Sequence, residues 1–298
     1  MDWQLFSEDC AIVFPPAVSK LMRPLCPFGF SGGARKVLVM VKRLIGKWLG
    51  PSHMDEVGVV RRVFGRFSGV VVDVGAHQGL ALSPFLEDGW VGYAIEPDPS
   101  NRAILQVRCP TATIDPRAVS ETDGQTVSLF TSNVSAGIST LSPFHASHEI
   151  TASVETVRLD TFLQQHQIEQ VDFLKIDIEG FDLFALRSFP WATHRPKAIV
   201  CEFEDRKTVQ LGYDVVEMVR FIRDQGYEVI VSEWEPIVEY GQQHIWRRFT
   251  KFPNELSENA WGNLIGVDRA LVQDLDRECL RAQRRLLVRQ FTDQLRKR

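Results

Sequence analysis

The stretch VVVDVGAHQG, residues 70–79, places a carboxylate directly before a pair of glycines. Apolar residues run into Asp73, as they do in a buried parallel strand that leads into a ligand-binding turn. A dinucleotide-binding turn has the pattern G-x-G-x-x-G, whose middle glycine lets backbone N–H groups approach a pyrophosphate. Between Gly75 and Gly79 the sequence reads AHQ, so this middle glycine is missing. The pattern therefore predicts a nucleotide-binding turn that is not built for a pyrophosphate.

The position of Asp73 also indicates which ligand the turn binds. Its negative charge would repel a pyrophosphate but attract a ligand with an ammonium and a sulfonium group, as S-adenosylmethionine has. Glu96 ends the next predicted strand about twenty residues later, where an acid accepts hydrogen bonds from ribose hydroxyls. Because nicotinamide cofactors and S-adenosylmethionine both use such an acid, Glu96 by itself does not separate them.

A second group of ionisable residues lies in the segment LKIDIEG. If the strand continued through it, a period of two would put Lys175, Asp177 and Glu179 on one side. Burying two acids and a lysine is costly without a purpose, and methyl transfer needs groups that align an acceptor oxygen and remove its proton. These three residues are therefore the catalytic candidates. The alternative is that Lys175 and Asp177 pair, while Glu179 begins the next helix.

The elements that must position these residues alternate as in a doubly wound α/β fold. The predicted strands are, in chain order, GVVVDV, VGYAIE, TATID, DFLKID, AIVCEFE, YEVIVSE and WGNLIGVD. Helical patterns lie between several of them, one over residues 180–189 and one in DVVEMVRFIRDQG, where Gly226 is the expected residue after the C-cap. Residues 124–160 predict extra hairpin strands, and residues 234–260 an irregular cover beside the substrate.

Two extensions flank this predicted core domain, which spans residues 56–268. Residues 1–55 contain a basic amphipathic helix at 35–49, for which we expect packing on its own domain over contact with a membrane surface. Residues 269–298 predict a second basic amphipathic helix, which packs on the domain or on a second subunit in a homo-oligomer.

Composition excludes several classes of protein. With 298 residues, 44% of them hydrophobic, the chain can bury a globular core. A formal charge of −4 gives no general attraction to nucleic acid. The five cysteines are dispersed, and the pair His145 and His148 has no cysteine or carboxylate in register, so neither disulfides nor a zinc site is expected. No segment has the pattern of a secretory signal or a membrane span, which predicts a cytoplasmic protein.

In order and at ordinary spacing, six segments resemble the motifs of the FkbM-type S-adenosylmethionine-dependent methyltransferases. They are VVVDVGAHQG, YAIEPDPSN, SAGISTL, VETVRLDTFL, VDFLKIDIEGFDLFALRSF and IVCEFE. The resemblance covers about residues 70–205. Its most specific element is LKIDIEG with the following Asp182, where the family more often has Glu. His77 stands where asparagine is commoner in the family.

This resemblance implies a Rossmann-like α/β class I methyltransferase fold, with a seven-stranded sheet and helices on both faces. It implies transfer of a methyl group from S-adenosyl-L-methionine, usually to a hydroxyl of a sugar, a glycan or glycolipid, or another small secondary metabolite. It places Asp177 at the end of the fourth core strand. The residues that it assigns to the cofactor are Asp73, Gly75, Ala76 and Gly79 in the loop, Glu96 at the ribose, and Asp115 at the adenine.

Two other functions stay open at this point. A methyltransferase-like module that binds ligands without turnover would keep the same fold. An NAD-dependent oxidoreductase would share the strand–turn–helix beginning and the acid of the second strand.

A divalent metal is a further alternative, which we do not favour. Asp177 and Glu202 are expected at the carboxyl ends of neighbouring strands, and some class I O-methyltransferases hold Mg²⁺ with acids at comparable positions. A third oxygen ligand would have to come from Glu179, Glu204 or Asp205. Otherwise Asp177 contacts the acceptor or acts as a base unaided, while Glu202 pairs with a nearby cation such as Lys175.

Overall fold

The computed structural model describes residues 53–134, 138–240, 242, 244–252 and 255–297. The predicted basic helix at 35–49 lies outside the described residues, together with most of the extension that contains it. No helix in the described part of the chain is long and apolar enough to span a membrane.

In the residues that the structure describes, eleven strands form two sheets. They are β1 (Val70–Val74), β2 (Val91–Ile95), β3 (Thr113–Asp115), β4 (Ala118–Val119), β5 (Thr126–Ser132), β6 (His148–Val157), β7 (Phe173–Ile176), β8 (Ala198–Glu204), β9 (Glu228–Trp234), β10 (Trp246–Lys251) and β11 (Trp261–Val267). The main sheet has eight strands in the order β10-β9-β11-β8-β7-β1-β2-β3, and a small one has the order β4-β6-β5.

The main sheet is doubly wound. Strands β3, β2, β1, β7 and β8 are parallel neighbours, and β11 is antiparallel to both β8 and β9. The chain runs outward from β1 through β2 to β3 and then returns to β7 on the other side of β1. The carboxyl ends of β1 and β7 therefore flank the reversal of strand order, where open α/β sheets bind their ligands.

The predicted sheet of seven strands is wrong by one strand. Strand β10 lies within residues 234–260, which predicted an irregular cover, and it pairs antiparallel with β9 at the sheet edge. A register shift between Trp246 and Arg248 interrupts the pairing. Because this bulge breaks the period of two, the sequence WRRFTK lacks the alternation by which a strand is recognised.

Eight α-helices accompany the strands in the described part of the chain. They are α1 (Glu56–Phe64), α2 (Ser83–Glu87), α3 (Pro99–Arg108), α4 (Leu159–Gln165), α5 (Asp182–Ser188), α6 (Asp205–Thr208), α7 (Val215–Asp224) and α8 (Val272–Lys297). Local chemistry explains several ends: Asp55, Asp98 and Asp214 cap the N-termini of α1, α3 and α7. Gly226 follows α7 at a φ of +86°, as its sequence predicted.

Helices cover both faces of the main sheet. Helices α4, α5 and α7 pack on one face, while α1, α2, α3 and α8 pack on the other. Helix α8 buries Leu275, Cys279, Ala282 and Leu286, which recur at helical spacing, in the same cluster as Val59 of α1. The C-terminal helix thus packs on its own domain.

Candidate functional site

A cavity of about 330 Å³ opens at the carboxyl ends of β1, β2 and β7. The start of helix α1 and the loop before β6 close its other sides through Asp55, Glu56 and Thr140. Six of the predicted site residues line it: Gly75, Ala76, Glu96, Lys175, Asp177 and Glu179. The other four, Asp73, Gly79, Asp115 and Glu202, are not among its lining residues. The fold thus brings most of the candidates to one place.

The backbone amides of the turn after β1 are already engaged inside the protein. The N–H groups of Gly75 and Ala76 donate to the Ile95 carbonyl oxygen over 2.9 and 3.2 Å. The N–H of His77 donates to Glu96 Oε2 over 2.7 Å. A pyrophosphate site depends on such amides being free to donate to the ligand. This turn therefore does not offer these three donors to an anion, in agreement with the missing middle glycine.

The shape of the turn explains its residue types. Gly75 has a φ of +72°, and a Cβ atom there would lie 1.9 Å from the Asp177 carbonyl oxygen. His77 has a φ of +48°, in the left-handed region that asparagine and histidine tolerate better than most residues. A histidine is thus compatible with the backbone conformation that this turn requires. At Gly79 a Cβ would approach Cys109 Sγ to 2.7 Å, so this glycine serves packing against α3.

Glu96 presents a buried carboxylate to the cavity. The residue is 4% exposed, and its Oε1 accepts a hydrogen bond from the Asp98 N–H over 2.9 Å. Burial raises the pKa of Glu96, while the hydrogen bonds from Asp98 and His77 act in the opposite direction. Since each carboxylate oxygen has a second lone pair, Glu96 can also accept hydrogen bonds from ligand hydroxyls.

Lys175 connects the turn to two acids. Its Nζ lies 3.0 Å from Asp73 Oδ1 and 3.6 Å from Asp177 Oδ2, and it donates to the Gly75 carbonyl oxygen over 2.7 Å. Burial disfavours the ammonium form, but Asp73 and Asp177 outweigh it and raise the pKa of Lys175. Asp73 is 1% exposed, so its carboxylate does not contact a ligand in the cavity. It influences the cavity only through its ion pair with Lys175.

Asp115 is not brought to the cavity. Its Oδ2 lies 2.6 Å from Arg117 Nη2 and 3.5 Å from His166 Nε2. Burial acts to raise the pKa of Asp115, but its hydrogen bonds with Arg117 outweigh burial and lower it. The structure therefore shows this carboxylate as the partner of a neighbouring arginine, and gives no support to the predicted adenine contact.

Three acids converge beside the turn. Asp177, Glu179 and Glu202 each have a carboxylate oxygen within 4.8 Å of the others. The ammonium group of Lys207 lies among them, with Nζ 2.5 Å from Glu179 Oε2 and 3.1 Å from Glu202 Oε2. It also lies 2.9 Å from Glu204 Oε2. A divalent ion at this cluster would have to displace a lysine whose side chain is 3% exposed, so the residues present do not fit a metal site.

The ionisation of this cluster follows from burial and mutual repulsion. Burial raises the pKa of Glu179 to about 7, although Lys207 opposes the shift. Burial and the neighbouring Glu179 raise the pKa of Glu202 well above its usual range. Burial acts to lower the pKa of Lys207, but Glu179, Glu202 and Glu204 outweigh it and raise that pKa. For Asp182, burial and Glu202 raise the pKa to about 8.

A strained turn holds Glu179. Strand β7 ends at Ile176 and helix α5 begins at Asp182. Glu179 therefore neither continues the strand beside Lys175 and Asp177 nor begins a helix, whereas the pairing of Lys175 with Asp177 is observed. Glu179 has a φ of +56°, which is costly for a glutamate and persists only where surrounding structure enforces it. Its carbonyl oxygen accepts a hydrogen bond from Thr140 Oγ1 over 3.1 Å. At Gly180, with a φ of +101°, a Cβ would lie 3.3 Å from Lys207 Cβ.

The histidines of the HASH segment organise their own loop. His148 Nδ1 accepts hydrogen bonds from the N–H groups of Phe144 and His145. Its Nε2 lies 2.8 Å from the Ile138 carbonyl oxygen, to which it donates in the corresponding tautomer. Both ring nitrogens of His148 are thus engaged in bonds within the loop, which agrees with the expectation that this pair holds no metal.

Lys207 is the functional candidate that the sequence did not single out. It lies three to five residues beyond Glu204 and Glu202, just after a strand in which every residue is buried. Two acids in such a strand require a counter-ion. The two acids in AIVCEFE therefore indicate that a cationic side chain is buried beside this strand, but they do not show which residue supplies it.

A family model described as "Methyltransferase FkbM domain" matches residues 73–229, more than half of the chain. No curated protein matches the chain.

Among solved structures, the precorrin-6y C5,15-methyltransferase of Geobacter metallireducens GS-15 is 11% identical, with a TM-score of 0.38, over 72% of this chain and 87% of that one. The magnesium protoporphyrin IX methyltransferase of Synechocystis PCC 6803, solved with bound SAM, is 8% identical, with a TM-score of 0.37, over 85% of this chain and 91% of that one.

Proposed function

Because this chain belongs to the FkbM methyltransferase family and has the class I methyltransferase fold, we propose that it is an S-adenosylmethionine-dependent O-methyltransferase. The acceptor is a hydroxyl group of a sugar, a glycan or another small secondary metabolite. The observation that carries the proposal is the cavity at the reversal of strand order. Acidic residues line this cavity, and the amides of its turn donate hydrogen bonds within the protein.

The charges around the cavity suit a cationic nucleoside. Glu96, Asp177 and Glu179 are among its lining residues, and their carboxyl groups favour a ligand bearing ammonium and sulfonium charges. The same acids and the engaged amides oppose a pyrophosphate, so an NAD-dependent oxidoreductase is not supported.

Three of the lining residues have a definable task in this proposal. Glu96 accepts hydrogen bonds from the ribose hydroxyls, and Lys175 fixes the turn through the Gly75 carbonyl oxygen. Asp177, whose side chain is 44% exposed, accepts a hydrogen bond from the acceptor hydroxyl and orients it. S-adenosylmethionine supplies an already activated methyl group, so the protein has only to align the acceptor and receive its proton.

Calorimetry with S-adenosylhomocysteine, the demethylated product of the cofactor, tests the cofactor site. We expect Glu96→Ala to weaken binding by at least about tenfold, because hydrogen bonds to a charged group contribute about 1.5–3 kcal/mol. Glu217→Ala is the matched control, since Glu217 forms an exposed pair with Arg187 away from the cavity. Equal affinity of Glu96→Ala and wild type would contradict the assigned site.

Transfer of a tritiated methyl group to a panel of p-nitrophenyl glycosides tests the acceptor class. We expect label on at least one glycoside, at a hydroxyl that mass spectrometry of the product identifies. Cofactor binding without transfer to any sugar or small-molecule hydroxyl would favour a binding module that has lost turnover.

A further inference from the structure

We propose that the Glu179 carboxylate is the general base that receives the proton of the acceptor hydroxyl, and that Lys207 is the positioning residue that holds it. This inference rests on the proposed function, because it assigns the proton-accepting step of that reaction. The two neighbouring acids, Asp177 and Glu202, differ from Glu179 either in their exposure to solvent or in whether they line the cavity.

Access to the cavity separates the three acids. Asp177 and Glu179 line it, and Glu202 does not. The Asp177 side chain is 44% exposed, whereas that of Glu179 is 9% exposed. A base that faces the ligand from a position shielded from bulk water keeps the accepted proton from exchanging with solvent during the reaction. Glu179 meets both conditions.

Lys207 fixes the carboxylate of Glu179 in one orientation. Its Nζ contacts Oε2 at 2.5 Å and is itself held by Glu202 and Glu204. Tyr240 donates from its hydroxyl to Glu204, and the Phe144 ring centroid lies 5.0 Å from Nζ. Because Lys207 is held on several sides, it locks the glutamate that it contacts. We assign proton acceptance to the other oxygen, Oε1.

The backbone of Glu179 is fixed as well. Its positive φ, the bond from Thr140 Oγ1 to its carbonyl oxygen, and the close packing of Gly180 on Lys207 leave the residue little freedom. A strained residue held in this way at a ligand cavity is characteristic of a functional position. A longer residue at Gly180 would push against the lysine, which gives a physical reason for the EG pair in LKIDIEG.

The charge balance of the cluster favours uptake of a proton. Three carboxyl groups, of Glu179, Glu202 and Glu204, contact the Lys207 ammonium group. A fourth, of Asp177, pairs with Lys175 and has an oxygen within 4.8 Å of those of Glu179 and Glu202. Protonation of Glu179 reduces the repulsion among these acids. Its pKa of about 7 also lies near the value at which a general base is most effective at neutral pH.

The proposed step balances as follows. The acceptor O–H bond breaks and its proton passes to Glu179 Oε1. The electron pair that stays on the oxygen forms the new oxygen–carbon bond, while the carbon–sulfur bond of the sulfonium breaks and its electrons neutralise the sulfur. The proton leaves later to solvent, and the protein returns to its starting charge.

Three single variants test the assignment of the base. With the best p-nitrophenyl glycoside of the panel, we expect Glu179→Gln to lower kcat by at least about a hundredfold, as loss of a general base does. Asp177→Asn, which keeps an oxygen acceptor, should lower kcat by less than about tenfold. Glu217→Gln, at the exposed pair with Arg187, should match wild type. In Glu179→Gln the affinity for S-adenosylhomocysteine should stay within about threefold of wild type. A larger loss in Asp177→Asn than in Glu179→Gln would overturn the assignment.

A titration that needs no acceptor tests the role of Lys207. In protein labelled with [¹³C]carboxyl glutamate, the resonance that disappears in Glu179→Gln reports the ionisation of Glu179. We expect Lys207→Met to raise the pKa of Glu179 by at least about one unit, because an adjacent positive charge is lost. Lys207→Arg should restore most of the shift, and Lys251→Met, at an exposed pair, should leave the resonance unchanged.

The two experiments separate failure of this inference from failure of the proposed function. Unchanged titration of Glu179 in Lys207→Met would refute the positioning role. If Lys207→Met does not fold, Lys207→Gln, which keeps a hydrogen-bond donor but removes the charge, replaces it, and an unaltered pKa of Glu179 in Lys207→Gln would refute the positioning role. If wild type labels no acceptor, the proposed function fails, and the titration still decides whether Lys207 controls Glu179.

Discussion

Asp73 and Lys175 are register partners on the adjacent parallel strands β1 and β7, and a 3.0 Å ion pair joins their buried side chains. The same ammonium group donates to the carbonyl oxygen of Gly75. This pair of residues thus connects β1, β7 and the turn after β1, which lines the cavity. Asp73 supports the turn after β1 from within the sheet.

Lys175→Met should destabilise the protein and weaken cofactor binding together. Removal of the lysine leaves Asp73 buried without its counter-ion, which costs about 3–5 kcal/mol in comparable pairs. Urea unfolding measures this loss, and calorimetry with S-adenosylhomocysteine measures the effect on the turn. Lys251→Met is the control, because Lys251 and Asp276 form an exposed pair that contributes less than about 1 kcal/mol. Equal stability of the two variants would show that the buried pair does not support the turn.

Gly75→Ala and Gly89→Ala separate backbone strain from steric conflict. Both glycines have positive φ, but a Cβ at Gly75 would lie 1.9 Å from the Asp177 carbonyl oxygen, whereas Gly89 has no atom within 4 Å of its Cβ position. We expect Gly89→Ala to cost about 1–2 kcal/mol from strain alone. Gly75→Ala should cost at least about 2 kcal/mol more, because backbone must move, and it should also weaken binding of S-adenosylhomocysteine. Similar urea midpoints for the two variants would contradict this turn geometry.

Asp182→Asn should change how stability depends on pH. The pKa of Asp182 is raised from 3.8 to about 8, so the folded state keeps a proton that the unfolded chain releases. The resulting stabilisation is complete below about pH 4 and is lost as the pH rises towards 8. Asparagine cannot lose that proton. Between pH 5 and pH 8, the free energy of unfolding of wild type should therefore fall by about 2–4 kcal/mol more than that of Asp182→Asn, as measured by urea unfolding.

The hydrogen bonds that asparagine lacks shift the stability of Asp182→Asn by the same amount at both pH values, so only the difference in slope is informative. Asp276→Asn, at the surface pair with Lys251, should run parallel to wild type. Parallel curves for Asp182→Asn and wild type would mean that Asp182 is ionised in the folded protein throughout this range.

Removal of metal ions should leave methyl transfer unchanged. The Lys207 ammonium group lies where the carboxylates of Glu179 and Glu202 would otherwise hold a cation. After exhaustive dialysis against EDTA, we expect the rate of transfer and the affinity for S-adenosylhomocysteine to stay within about twofold of the untreated protein. Loss of activity that Mg²⁺ restores would show that an ion displaces the lysine during the reaction.

Local sequence determined the order of the elements and the nature of the ligand turn. Alternating strand and helix patterns gave the doubly wound topology, because periodicity depends on which face of each element is buried. The missing middle glycine and Glu96 predicted a nucleotide-binding turn that is not built for a pyrophosphate. Such a prediction is possible because the backbone conformation at Gly75 and His77 depends on the residue types themselves. The eighth strand escaped prediction because a bulge in β10 breaks its alternation.

Only the tertiary structure decided which charges meet. Lys207 follows β8 in the chain, but it reaches Glu179, 28 residues away, because β7 and β8 are neighbours in the sheet. Asp73 and Asp115 were predicted to contact the cofactor, as Glu96 was, but neither lines the cavity. Asp73 pairs with Lys175 instead, and Asp115 with Arg117. The pairs of Lys207 with Glu179 and of Lys175 with Asp73 depend on contacts between elements distant in sequence, and no local pattern encodes such contacts.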